Sequence, residues 1–188
     1  MVLVLVAPLS LFAAEDPLPK FTIDGHLGYY WIGDSLTKEL YTDKTQIWGV
    51  EGGRFLTDQL EAFVSVDFYS ENGKTSFGEI PLKLEIIYGD VGIRAYLSRR
   101  WIPELWASVA LSVVNFKEFF PGEFEDKDVF EKTQVGFSVG AGVNIPIAYW
   151  FIIGVDGTYR FVKIPSAIDT EKINAGGIET TIFIEFRF

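Results

Sequence analysis

Between Gly176 and Phe188 the chain alternates strictly enough to define two faces. Gly176, Ile178, Thr180, Ile182, Ile184, Phe186 and Phe188 fall on one, and Gly177, Glu179, Thr181, Phe183, Glu185 and Arg187 on the other. A period of two marks an extended strand, because successive side chains leave opposite sides of the backbone. The apolar face runs to an aromatic at the last residue. In water such a face must be covered by a core. In a membrane barrel it meets lipid, and the polar face turns inward. The segment therefore narrows the chain to an all-β protein, either a soluble barrel or an inside-out one.

Seven more segments repeat the pattern. The first covers residues 21–32, with Phe21, Ile23, Gly25, Leu27, Tyr29 and Trp31 opposed to Thr22, Asp24, His26 and Gly28. The second covers 45–56 and sets Trp48 and Val50 against Glu51, with a bulge expected within Glu51-Gly52-Gly53-Arg54. The third sets Leu60, Ala62, Val64, Val66 and Phe68 against Glu61, Phe63, Ser65, Asp67 and Tyr69. In the fourth, Gly89, Val91, Ile93, Ala95 and Leu97 oppose Tyr88, Asp90, Gly92, Arg94 and Tyr96. Its start reaches back toward Ile80, where Leu82, Leu84 and Ile86 alternate on the other parity, so a one-residue slip is expected at Ile86-Ile87. The fifth and sixth span about 105–116 and 134–143, and the seventh 151–161 with Asp156 and Arg160 on its polar side. Each segment approaches the roughly 10 residues of a tilted transmembrane strand.

The connections differ by position. Those at 33–44, 70–79, 117–132 and 163–173 are long and polar, whereas those at 57–59, 98–104 and 144–148 are short. An up-and-down membrane barrel alternates in this way, with longer outer loops and short periplasmic turns. An even strand count then places both termini on the periplasmic side. Aromatics gather at segment ends: Tyr29, Tyr30, Trp31 and Trp48 at one, Trp101, Trp106, Tyr149, Trp150, Phe186 and Phe188 at the other. Two interfacial girdles are expected from rings that favour the headgroup level.

The polar faces place Asp24, His26, Glu61, Asp67, Arg94, Asp156, Arg160 and Glu179 together inside a narrow barrel. An eight-stranded interior is just wide enough to be filled by side chains. Unpaired buried charge is costly, so these residues are expected to form a structural ion-pair network. Inward Gly136, Ser138, Gly140 and Gly142 leave room for longer side chains opposite. No segment carries an acid or base in the middle of its apolar face.

This pattern resembles the small OmpA/OmpX-type eight-stranded outer-membrane β-barrels over about residues 21–188, without a periplasmic domain. The resemblance implies an antiparallel up-and-down transmembrane barrel in the outer membrane of a Gram-negative-type bacterium. It further implies a monomer in contact with outer-membrane lipid and lipopolysaccharide. Phe186 and Phe188 match the C-terminal assembly signal of such barrels, which is read by the barrel-assembly machinery. Residues 1–14, MVLVLVAPLSLFAA, are expected to be a signal peptide, leaving 15–188 as the barrel domain. No Lys or Arg precedes the apolar run, which fits a misassigned start codon or a truncated leader; the alternative is an apolar first strand or helix of the mature chain.

Composition removes several function classes. The net charge of −10 argues against nucleic acid. The absence of Cys removes thiolate metal sites, disulfides and Cys nucleophiles. His26 is the sole histidine, and the sequence His26-Leu27-Gly28 lacks the serine of the His-x-Ser pair shared by outer-membrane lipid A deacylases. Nor does an Asp-Ser pair occur inside a strand, as the outer-membrane palmitoyltransferases would require; Asp34-Ser35 falls in the first loop. Glu123, Glu125, Asp126 and Asp128 make an acidic loop without calcium-loop spacing. No catalytic, cofactor or metal residue is expected. The leading reading is a non-enzymatic barrel with a structural or surface-interaction role through four outer loops. A narrow pore or hydrophobe transporter is the alternative, followed by a lipid A-modifying enzyme centred on His26 and by a soluble lipocalin-like barrel.

Overall fold

Strand alternation carries straight through into the architecture. The computed structural model describes residues 19–33, 45–74, 81–97, 103–119, 128–165, 172–174 and 176–188. The strands are β1 (Phe21–Ile32), β2 (Thr45–Phe55), β3 (Leu60–Lys74), β4 (Pro81–Tyr96), β5 (Glu104–Phe119), β6 (Asp128–Ala148) and β7 (Phe151–Phe161), then β8 (Lys163–Pro165), β9 (Lys172–Asn174) and β10 (Gly177–Arg187). Eight of them close an antiparallel barrel in the order β1-β10-β7-β6-β5-β4-β3-β2, and β8 and β9 form a small separate hairpin. No helix among the described residues is long and apolar enough to cross a membrane.

The barrel closes on its last strand. β10 pairs with β1 from Thr22↔Arg187 to Ile32↔Gly177. Phe21 and Phe188 exchange both backbone hydrogen bonds, at 2.9 and 3.0 Å, and their rings stack 6.2 Å apart. The terminal aromatic is thus the final rung of the closing seam.

The faces are inverted relative to a soluble protein. Val109, Leu111, Val135 and Ile182 point outward and are each at least 60% exposed, while Glu61, Asp67, Arg160 and Glu185 point inward and are at most 2% exposed. Branched aliphatics and aromatics cover the exterior of every barrel strand. An apolar surface of that extent is far beyond what soluble monomers present to water.

Several expectations need correction. The expected bulge within Glu51-Gly52-Gly53-Arg54 is absent, since β2 keeps continuous register with both β1 and β3. The expected slip at Ile86-Ile87 is absent too, because β4 pairs without interruption with β3 and β5. Leu84 and Ile86 simply point inward with Tyr88 and are fully buried. The parity never breaks; the lumen itself turns apolar at that height. The irregularities lie instead at Glu118/Phe119 and Pro146/Ala148, the latter where proline has no N–H to give the ladder.

Strand lengths differ as well. Much of the expected loops 70–79 and 117–132 is strand, since β3 runs to Lys74, β5 to Phe119 and β6 starts at Asp128. The expected turn at 144–148 also belongs to β6, and the chain reverses at Tyr149-Trp150. Consequently the connection at 75–80 is no longer than the one at 97–103. One rim is raised by these long strands. The girdles also change. Tyr30 and Trp106 are buried inside the barrel, whereas Tyr29, Trp48, Tyr149, Trp150, Phe186 and Phe188 face outward. Trp101 lies outside the described residues, as do 1–14, Asp34, Ser35 and the acidic positions Glu123, Glu125 and Asp126.

Candidate functional site

The lumen has three storeys. Toward the raised rim sits an apolar plug that includes Tyr30, Ile47, Tyr69, Leu84, Tyr88 and Phe116. The Tyr88 hydroxyl donates to Tyr30 Oη at 3.0 Å, and the Tyr30 ring meets those of Tyr69 and Tyr88 at 5.5 Å. Toward the termini a second cluster joins Phe55, Tyr96, Trp106, Ile152 and Phe183. Glycines make it fit: a Cβ on Gly142 would strike the Trp106 indole, and one on Gly154 the Phe183 ring. Between the plugs lies a polar chamber enclosing about 50 Å³, room for a few waters.

Two arginines organise the chamber. Arg160, on β7, spans the barrel to pair with Asp67 on β3, Glu179 on β10 and Asp90 Oδ2 on β4, the last at 3.0 Å. Its guanidinium lies over the Tyr88 ring at 4.5 Å, which ties the network to the upper plug. Arg94, on β4, reaches Glu51 at 2.7 Å and Glu61 at 3.3 Å. It also lies 4.2 Å over Trp106, which ties it to the lower cluster. Glu61 is satisfied further by the Tyr96 hydroxyl at 2.8 Å and the Thr22 hydroxyl at 2.5 Å.

A third arginine, Arg187, seals the terminal end. Its Nη2 lies 2.7 Å from Glu104 Oε2, and its Nε pairs with Glu185. Trp106 Nε1 donates to Asn144 Oδ1 at 2.7 Å beside them.

His26 is held by carboxylates on both sides. Nδ1 lies 3.0 Å from Asp24 Oδ1, and Nε2 lies 2.5 Å from Asp67 Oδ1. A Cβ on Gly49 would collide with both Asp67 Oδ1 and His26 Nε2, so the glycine on β2 gives them their space. His26, Asp67 and Glu179 each offer a ligand atom, and these lie within 4.8 Å of one another.

The structure brings together most of the residues read from sequence. Asp24, His26, Asp67, Arg160 and Glu179 form one linked group, and Glu61 with Arg94 another. Asp156 joins neither arginine; it lines the chamber and accepts from the Thr181 hydroxyl at 2.8 Å. Phe186 and Phe188 face outward. Glu51, Asp90, Glu104, Glu185 and Arg187 take part as well. Parity already put four of them on the polar face; Glu104 was read as turn. Alternation gives the side of the strand, and cross-strand register sets which side chains share a height.

No family model and no curated protein matches the sequence. Solved structures do match in fold. Neisserial surface protein A is 15% identical over 89% of this chain and 97% of that one, with a TM-score of 0.64. The outer membrane protein OprG from Pseudomonas aeruginosa is 10% identical over 90% of this chain and 96% of its own, with a TM-score of 0.71. Ail, the attachment invasion locus protein of Yersinia pestis, is 10% identical over 92% of this chain and all of its own, with a TM-score of 0.54. All three are small barrels, and this chain has their fold.

Proposed function

We propose that this chain, folded like the small eight-stranded outer-membrane barrels, is a closed barrel whose working surface is its outer rim. The observation that supports this is the stacking of two apolar clusters on either side of a chamber of about 50 Å³. An aqueous pore needs a continuous wet path, and eight strands leave little room for one. The sole histidine is engaged by a carboxylate at each nitrogen, with no serine in either contact. The role is therefore non-enzymatic: structural, or interaction through the loops and the raised hairpins.

In this reading the apolar exterior contacts outer-membrane lipid and lipopolysaccharide. Both termini are periplasmic, and the barrel is a monomer. The β10 seam, with Phe186 and Phe188, is what the assembly machinery engages. Ail, named for attachment and invasion, offers a precedent for a surface role on this fold. Planar-bilayer recordings of the refolded barrel test the proposal. Silence at the single-molecule level is expected. A steady, reproducible conductance would replace the closed barrel with the pore reading.

A further inference from the structure

Ionisable acids and bases are unequal in number around the chamber. Asp24, Glu51, Asp67, Asp90, Asp156 and Glu179 line it against Arg94, Arg160 and His26. Carboxylates outnumber cationic side chains there even with His26 counted as charged. Excess negative charge inside a barrel is costly unless carboxyls take up protons or a cation enters, and a bound cation would balance it. We infer that the chamber is a divalent metal site, with His26 Nε2, Asp67 and Glu179 as ligands and chamber waters completing the shell.

Three features fit a built site. First, the three ligand atoms lie within 4.8 Å of one another, and one imidazole with two carboxylates suits a divalent transition ion. Second, Asp24 sits 3.0 Å from Nδ1 of the same ring. A carboxylate there takes the Nδ1 hydrogen and aims Nε2 at the ion, the arrangement that orients metal-binding histidines. Third, Gly49 lets Asp67 Oδ1 and His26 Nε2 come together against β2, where even a Cβ would collide with both. Arg160 now pairs with Asp67 and Glu179 and would have to yield. It has somewhere to go: Asp90, 3% exposed and lining the chamber, has Oδ2 on Arg160 while Oδ1 has no hydrogen-bond partner. A guanidinium can turn to grip both oxygens.

The test loads the full chain during refolding, because apolar clusters flank the chamber on both sides. Refolding with Co²⁺ or Zn²⁺, followed by chelator and desalting, is expected to leave one equivalent per barrel by elemental analysis. Bound Co²⁺ should show visible bands of nitrogen and oxygen ligation. His26→Gln should lose the metal. Asp24→Asn, which keeps all three ligands, should weaken binding ~10–100-fold. Replacing Glu123, Glu125 and Asp126 by Gln, Gln and Asn should leave stoichiometry unchanged. Each variant's folding is checked by its heat-modifiable gel shift. The inference fails if less than half an equivalent is retained by the folded wild type, or if folded Asp24→Asn binds as tightly as wild type. It fails equally if the loop variant loses the metal, which would place the ion outside the chamber. None of these readouts depends on whether the barrel conducts.

Discussion

A single arginine shows how the lumen is held. Arg160 reaches three carboxylates on three strands and is 2% exposed, so truncating it leaves Asp67, Asp90 and Glu179 without their shared partner. Breaking a buried pair in this way costs roughly 3–5 kcal/mol, because one charge stays behind uncompensated. Arg160→Ala should therefore lower stability by about that amount in urea titrations of the barrel refolded into lipid vesicles. Arg94→Ala should fall in the same range and also raise ion leakage, since Arg94 bridges the chamber and the lower cluster through Trp106. A loss below about 1 kcal/mol for both would mean that water already solvates the network. The members of this network were legible because parity sorts residues by face. Their partners were not, because a strand's height in the barrel depends on the register with its neighbours. Asp24 lies opposite Glu51, and Ser65 opposite Asp90, only once β1, β2, β3 and β4 are aligned.

At the scale of elements, each barrel strand is a two-sided object with lipid on one side. Val139 on β6 and Ile182 on β10 face outward. Val139→Arg or Ile182→Arg should destabilise by about 2–4 kcal/mol near the bilayer midplane. Asp58→Lys, in the exposed turn between β2 and β3, should change little in the same folding titration. Equal effects would mean that the faces are assigned the wrong way round. The closing strand adds a kinetic expectation: deleting Phe188 removes the last rung opposite Phe21 and should slow assembly in cells more than it lowers the stability of the folded barrel. Pulse-labelling of heat-modifiable protein would show the delay. The chain's own alternation announced these strands clearly. It misled at β4, where Leu84 and Ile86 look like a second outward face. A rule of polar inside and apolar outside fails wherever the lumen is plugged by apolar packing. The hairpin extensions were missed for a related reason: stretches such as residues 131–134 of β6, Glu-Lys-Thr-Gln, are polar on both sides, and their composition reads as loop.

Across the whole molecule, one closed sheet turns its apolar side outward and packs its charges within. The chain contains no Cys, so single-cysteine spin labels can be placed one at a time without background. A scan along β10 from Ile178 to Phe186, in vesicles, would compare collision with dissolved oxygen against collision with a water-soluble nickel chelate. Oxygen contact should peak at Ile178, Thr180, Ile182, Ile184 and Phe186. Glu179, Thr181, Phe183 and Glu185 should be shielded from both reagents, because they are buried and apolar clusters flank the small chamber beside them. A period of two in oxygen contact with a silent alternate phase is the predicted result. High nickel contact at Ile182 and Ile184 would place the apolar face in water, and strong nickel contact at Thr181 and Glu185 would open the lumen; either contradicts the account.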